Sequence, residues 1–412
     1  MTELPPPVGA LSGLRVLDLS RILAGPTCTQ ILGDLGAEVL KIERPGAGDD
    51  TRKWGPPFVT GRDGGPTRES AYYLSANRNK RSIALDFTQP EGKALLLHLL
   101  EGCDILVENF KTGGLARHGL DYESLRKSHP RLIYCSITGF GQTGPYRARA
   151  GYDYLAQAMG GVMSITGAPD GPPMKVGVGI ADVTTGLYAT IGILAALRRR
   201  DVTGEGQQVD VCLLDTQVSW LINEATNYLV SGERPVRRGN DHPNIVPYRV
   251  YATLDGHIVL AVGNDSQFQA WARLAGREDL AQDPAFATNP ARVRNRDLVN
   301  ETVARIMATR SSAEWLAALE AAGVPAGPVN NIDEVFADPQ VLARGMRISM
   351  PYDHSQSGTV ELVGSPLKLS ATPVSYRHPP PVAGEHTDEI LASVAGVSEE
   401  MLDDLRARGV IG

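Results

Sequence analysis

The first 140 residues alternate short apolar strands with amphipathic helices, and this alternation limits the chain to few folds. Arg15 to Ser20 reads as a strand, Thr27 to Leu35 as a helix and Ala37 to Arg44 as a second strand. The pattern then recurs. Ser82 to Phe87 is a strand, Pro90 to Gly102 a helix with proline in its first turn, Asp104 to Phe110 a strand, and Arg131 to Phe140 another. Such a series predicts a mostly parallel sheet covered on both faces, with ligands gathered at the C-terminal strand ends. The rule selects Arg21 to Pro26, the segment after Arg44, Asn109 to Arg117 and the stretch after Phe140.

At 412 residues the chain is longer than one core usually serves. Its character changes near Tyr228: Val250 to Val262 reads as a hairpin turning at Asp255-Gly256, followed by helices near Ser266 to Ala275 and Ser312 to Ala322. The expected division is a large domain of residues 1–224 with 337–412 and a small α+β domain of 225–336, the C-terminal tail rejoining the first.

A net charge of −7 with no Lys/Arg-rich face argues against a nucleic-acid partner. Gly186 to Leu197, the most apolar stretch, falls about eight residues short of the ~20 a membrane span needs and is expected to be a buried helix. Met-Thr-Glu-Leu-Pro-Pro-Pro offers neither the basic start nor the apolar run of a signal peptide. Cys28, Cys103, Cys135 and Cys212 are widely spaced and form no metal-binding or redox motif. A cytoplasmic location, no metal and no membrane partner are the expectations.

Asp182 stands in Gly179-Ile180-Ala181-Asp182-Val183-Thr184-Thr185-Gly186, just before the apolar helix. An acid there reads as an N-cap, and equally as a carboxylate kept ionised by the helix terminus and aimed at a pocket. Asp170, between prolines, reads as a turn that competes for the same role. Tyr152 follows a glycine-rich loop after a strand, where a phenol packs or positions a substrate. Ala24-Gly25-Pro26 lacks the three glycines of a dinucleotide site, and no Gly-Lys-Ser/Thr phosphate loop occurs. Arg44, Arg78, Lys80, Arg81 and Arg117 are surface charges taken singly and a polyphosphate site taken together. Gly263-Asn264-Asp265 reads as a turn opening a helix, or as amides closing over a substrate.

Read together, these segments resemble the class III CoA transferases, the CaiB/BaiF family that includes formyl-CoA transferase. The matching stretches are Leu14 to Asp18 with Ala24-Gly25-Pro26, Lys41 to Arg44 with Gly48-Asp49, Asn79 to Ser82, Val107 to Phe110, Ser136 to Gly141, Asp182 to Gly186, Thr203 to Gln207, and Gly384 to Thr387. The resemblance implies an α/β fold with a Rossmann-like parallel sheet in the large domain, and an interlocked homodimer. It places the family's nucleophilic aspartate on Asp182. Its CoA contacts fall on Leu23, Ala24, Arg44, Leu85 to Thr88, Asn109, Phe110, Lys111 and Arg117, with Tyr152 beside the thioester.

The activity implied is CoA transfer from an acyl-CoA to a carboxylic acid through aspartyl anhydride and aspartyl-CoA thioester intermediates. Acyl-CoA serves as substrate, no cofactor is tightly held, and helix and loop amides near Asp182 are the expected oxyanion donors. Two departures stand out: Leu23 replaces an amide side chain of formyl-CoA transferase, and that enzyme's longer glycine-rich loop is missing, leaving Gly263-Asn264-Asp265 as cover. The alpha-methylacyl-CoA racemases pair a histidine with the same aspartate; Tyr152 occupies that place here, and a phenol of ordinary pKa near 10 shuttles protons poorly at neutral pH. A non-catalytic CoA-binding protein would be expected to lack Asp182. Gly239 to Tyr248 resembles the branch acting on succinate-like dicarboxylates, where Arg237, Arg238 and His242 are candidates to pair with a distal carboxylate.

Overall fold

The computed structural model describes residues 9–412. Residues 1–8, on which the expectation about export rests, lie outside the described residues. The chain divides into two compact units. One takes in the chain up to Gly161, Val176–Trp220 and Pro339–Gly412; the other, Val162–Lys175 and Leu221–Asp338.

The first unit is built on six strands: β1 Arg15–Asp18, β2 Glu38–Glu43, β3 Lys80–Ala84, β4 Ile105–Glu108, β5 Ile133–Thr138 and β6 Gln208–Cys212. They pair side by side in the order β3-β2-β1-β4-β5-β6, all parallel. Alternate residues supply two cores, as a sheet buried on both faces requires. Val16, Val39, Ile105, Val107 and Ile133 point to one face, where helix α1 (Ala24–Asp34) lies. Leu17, Leu40, Ile83 and Leu106 point to the other, against helix α2 (Pro90–Glu101) and the C-terminal residues Ile390, Leu391, Leu402 and Leu405. Each such side chain, removed from water, contributes about 1.5–3 kcal/mol. The strand order reverses between β1 and β4, so their loops part and leave a crevice at the sheet's C-terminal end.

Two expectations need correction. Ala24-Gly25-Pro26 is the first turn of α1 and not a turn before it; proline is tolerated there because first-turn amides have no intrahelical acceptor. The apolar segment is a helix of 24 residues, Ile180–Thr203, long enough to cross a membrane by length and composition. Its length therefore excludes nothing. One face, through Ala181, Ala189, Ile193 and Ala196, packs into the α1 side of the core. Gly186 permits that approach: a Cβ there would lie 2.6 Å from the Ala24 carbonyl oxygen.

The second unit carries a three-stranded antiparallel sheet. Strands Tyr248–Ala252 and His257–Ala261 form the hairpin, and Ala326–Pro328 adds to the latter. Its core is aromatic, with Phe268, Trp271 and Trp315 fully buried. Val162–Lys175 belongs here because the Arg237 guanidinium donates to the carbonyls of Ala168 and Gly171, at 3.3 and 2.8 Å, and the Gly239 amide donates to the Gly167 carbonyl. The sequence reading confined this unit to 225–336.

Candidate active site

The loop after β1 is fixed by polar groups on three sides. Asp18 accepts from the amide and hydroxyl of Ser20. The Arg21 amide donates to Asn109 Oδ1 at 2.9 Å, and the Asn109 side chain donates back to the Arg21 carbonyl at 2.6 Å, tying the loops after β1 and β4 together. The Ile22 amide donates to Asp49 Oδ1 at 3.3 Å, and Ile22 sits at φ +72°, an unfavourable conformation for a β-branched residue. Leu23 and Ala24 follow, opening α1.

A second element converges from the segment after β5. Gly139 and Gly151 touch backbone to backbone: a Cβ on Gly139 would lie 2.4 Å from the Gly151 Cα. This contact delivers Tyr152 and a short helix, α3 (Asp153–Met159), to the crevice. A cavity of about 260 Å³ opens there, with Asp182, Tyr152, Ala24, Asn109, Phe110 and Lys111 on its wall, together with Arg21, Asp50 and Arg149. An adjoining groove of about 400 Å³ shares Arg21, Asp50 and Phe110 and is lined further by Arg44, Leu85 and Thr88. Arg21 lies over the Phe110 ring, 5.6 Å from its centroid, and Phe87 meets the same ring edge-on at 6.0 Å.

Asp182 is the third residue of the long helix, hereafter α4 (Ile180–Thr203), and does not cap it; Gly179 holds the cap position without a side chain. The acceptor comes from α3: Asp153 Oδ1 accepts from the amides of Ala181 and Asp182 at 2.7 and 3.3 Å. The Ile180 and Val183 amides bond the carbonyls of Val178 and Gly179. All four first-turn amides are thus engaged, which removes them as the oxyanion donors expected from sequence. The expected lowering of the Asp182 pKa is reversed as well. Burial pushes its carboxyl up to about 7, and the Asp153 charge adds to the rise.

Not every candidate arrives. Leu23 is buried beside the cavity, its Cδ2 3.1 Å from where a Cβ on Gly179 would stand. Arg117 lies outside both cavities, its Nε donating to His118. Arg78, Lys80 and Arg81 are structural cations and not phosphate ligands, paired with Asp34, Asp18 and Glu38. In the second unit, Arg237 holds the 162–175 loop as described, and Arg238 pairs with Glu224. His242 accepts from the Asn244 amide; burial, then the Arg296 charge, lower its pKa and weaken it as a carboxylate's cation. The Gly263 amide donates to Gln267 Oε1 and Asn264 caps helix Asp265–Leu274, so both are committed locally. Asp170 stands in an exposed turn.

Arg21 and Arg149 line the cavity without having been singled out for it, and Asp153 stands beside Tyr152 in the segment after the glycine-rich loop, where the sequence pointed to the phenol. The strand-end rule marks the segments holding Arg21 and Arg149, but no spacing marks Asp153, which acts across 28 residues of chain.

The chain is 50% identical to the succinate–glutarate CoA-transferase of Agrobacterium fabrum over 395 residues, 96% of this chain and 98% of that one. It is 44% identical to the succinyl-CoA:glutarate CoA-transferase of Mus musculus, covering 97% of this chain and 90% of the relative. The crystal structure of a CaiB/BaiF family protein from Brucella suis superposes with a TM-score of 0.82 at 47% identity, over 94% of this chain and 99% of that one. The sequence profile described as CoA-transferase family III matches residues 11–387, and the chain belongs to that family.

Proposed function

We propose that the chain transfers CoA from an acyl-CoA to a small dicarboxylate with Asp182 as covalent nucleophile. The observation that carries this reading is Asp182 itself: a half-buried acid with a raised pKa, facing a cavity walled by Arg21, Lys111, Arg149 and Tyr152. Three cations suit a substrate bearing carboxylates. The names of the relatives, which include succinate and glutarate, support the dicarboxylate class. The groove with Arg44, Leu85, Thr88 and Phe110 offers a basic and aromatic wall for the nucleotide end of CoA.

In the reaction, an Asp182 oxygen attacks the thioester carbonyl; the new C–O bond forms, the C–S bond breaks, and CoA leaves as thiolate. The thiolate then attacks the aspartyl carbonyl, forming the aspartyl-CoA thioester and releasing the donor carboxylate. The acceptor carboxylate attacks that thioester, CoA leaves again, and it returns to the acceptor's acyl carbon, freeing Asp182. Each step exchanges one acyl bond for another, so no external energy source is consumed. Tyr152 in the cavity is a hydrogen-bond donor to the carbonyl oxygen. Trapping with succinyl-CoA and hydroxylamine, followed by peptide mass spectrometry, should modify Asp182; modification of Asp170 alone overturns the assignment. Transfer from succinyl-CoA to a panel of acids should favour dicarboxylates.

The assembly proposed is an interlocked homodimer. Leu187, Ile191 and Leu194 form an exposed apolar stripe along α4, at the spacing of one helix face, and a second copy would cover it. Sedimentation as a monomer at micromolar concentration overturns this. A cytoplasmic site of action is consistent with four free cysteines, and is tested by fractionation of the source cells.

A further inference from the structure

We propose that Asp153 is a positioning residue for the transfer: it fixes the start of α4 and, by repulsion, makes the free Asp182 anion less stable than its covalent acyl and thioester forms. The inference rests on Asp182 being the nucleophile.

The geometry is a clamp. Asp153 Oδ1 takes the amides of Ala181 and Asp182, while Oδ2 accepts from Gln157 Nε2 at 2.7 Å. Gln157 is completely buried and is itself held, its Oε1 accepting from the Val176 amide at 2.9 Å. Gly179 packs closely on Leu23, where a Cβ would lie 3.1 Å from Cδ2, and stands in ordinary contact distance of Asp153 Cγ. The two helix amides alone would be satisfied by a neutral side chain at 153, since asparagine and serine cap as effectively as aspartate; the Gln157 donor asks for a second acceptor oxygen, which glutamate keeps and asparagine and serine lose. The acid also brings a second negative charge to a half-buried carboxylate.

The charge has a chemical consequence. Burial and the Asp153 charge both oppose ionised Asp182. Attack on a thioester moves that charge from the aspartyl oxygen to the departing CoA sulfur, so acylation relieves both burdens. The other ionisable groups about Asp182 are Arg21, Asp50, Lys111, Arg149 and Tyr152 on the cavity wall and Tyr72, whose phenol is raised by burial and then by both acids. None of the cations holds the Asp182 pKa down in the free enzyme; Arg21 is paired instead with Asp50 at 3.0 Å, and Arg149 lies over the Tyr146 ring.

The experiment compares wild type, Asp153→Asn, Asp153→Ser and Asp153→Glu, with Asp182→Asn as reference. In the two neutral variants the acid limb of kcat/KM should move down by about one pH unit, and the covalent fraction trapped at pH 8 should fall about tenfold. Asp153→Glu should restore both. An unchanged acid limb and covalent fraction in Asp153→Asn reduce Asp153 to a cap and overturn the inference. Should neither neutral variant fold, carbon-13 titration of wild-type Asp182, assigned by its loss in Asp182→Asn, must give a midpoint near 7; an ordinary carboxylate midpoint overturns the proposal. Full activity in Asp182→Asn sinks the nucleophile reading itself, whereas a dead Asp182→Asn with an indifferent Asp153→Asn sinks only the role of Asp153.

Discussion

Two groups of acids in the first unit, one buried and one half-buried, differ in the cations beside them. Beneath the β1–β3 strand ends lies an ionic network: Asp18 pairs with Lys80 at 3.2 Å, Asp49 with Lys41 at 3.0 Å, and Glu43 with Arg52 at 2.7 Å, while Glu69 meets the same guanidinium. Burial pushes the Asp18 carboxyl up, but the charges of Lys80 and Lys41 and hydrogen bonds from Ser20 and Thr29 carry it below its ordinary value. Glu43 behaves alike, with the Arg52 hydrogen bond and charge outweighing burial; at Glu69, on the same guanidinium, burial prevails over the Arg52 charge and the carboxyl stays above its ordinary value. Among the described residues Asp182 and Asp153 have no such paired cation, and Asp182 moves the opposite way. Compensated acids hold the loops, the Ile22 amide on Asp49 being one instance; the uncompensated acid is left with reactivity to spend.

The largest expected effect breaks the uncompensated side. Asp182→Asn should lower CoA transfer roughly a thousandfold or more, because the nucleophile is lost while the shape is kept. It should also stabilise the fold. Asp182 holds its proton more tightly folded than unfolded, so ionising it costs stability as pH rises from the ordinary carboxylate range to about 7. Discounted for its partial exposure, the gain at pH 8 should be about 2 kcal/mol, read as a rise in urea midpoint. Network acids must respond in the reverse sense. Arg52→Met removes the guanidinium that both Glu43 and Glu69 are paired with and should destabilise the fold by about 3–5 kcal/mol, in the same urea assay.

A pH profile sharpens the contrast without a mutation. With Asp182 as the proposed nucleophile only its anion would attack, so kcat/KM should fall about tenfold for each pH unit below about 7 and level off above it. A limb near pH 4 would mean that Asp182 is compensated in the free enzyme like the network acids, and the contrast would fail.

How far the sequence foretold this division follows from range. The strands Arg15–Asp18, Glu38–Glu43 and Ile105–Glu108 announce themselves because both of their faces are apolar, and the loops after β1 and β4 follow from them. Strand β6 went unread because Gln208 and Asp210 alternate with valines in a short edge strand. Asp182 was legible as an acid at a helix start, but its environment was not: Asp153 reaches it through space, and no local pattern distinguishes that contact from an Asp182 that caps its own helix. The cations at Arg78, Lys80 and Arg81 were misread for the same reason, since their acids lie 44, 62 and 43 residues away.

The smallest prediction sets one helix start against another. Helix α4 takes a charged cap from a different element, whereas helix Asp265–Leu274 carries its own neutral cap: Asn264 Oδ1 accepts from the Gln267 amide at 2.9 Å and from the Ser266 hydroxyl at 2.7 Å. Asn264→Ala should therefore cost the second unit about 1 kcal/mol, with Asn264→Asp nearly neutral because the carboxylate caps as well and suits the helix dipole. Calorimetry should show the loss in the transition of that unit. If Asn264→Ala changes the KM for the acceptor acid more than it changes stability, Asn264 belongs to substrate recognition, and the neutral cap, like the charged one at Asp153, serves the chemistry.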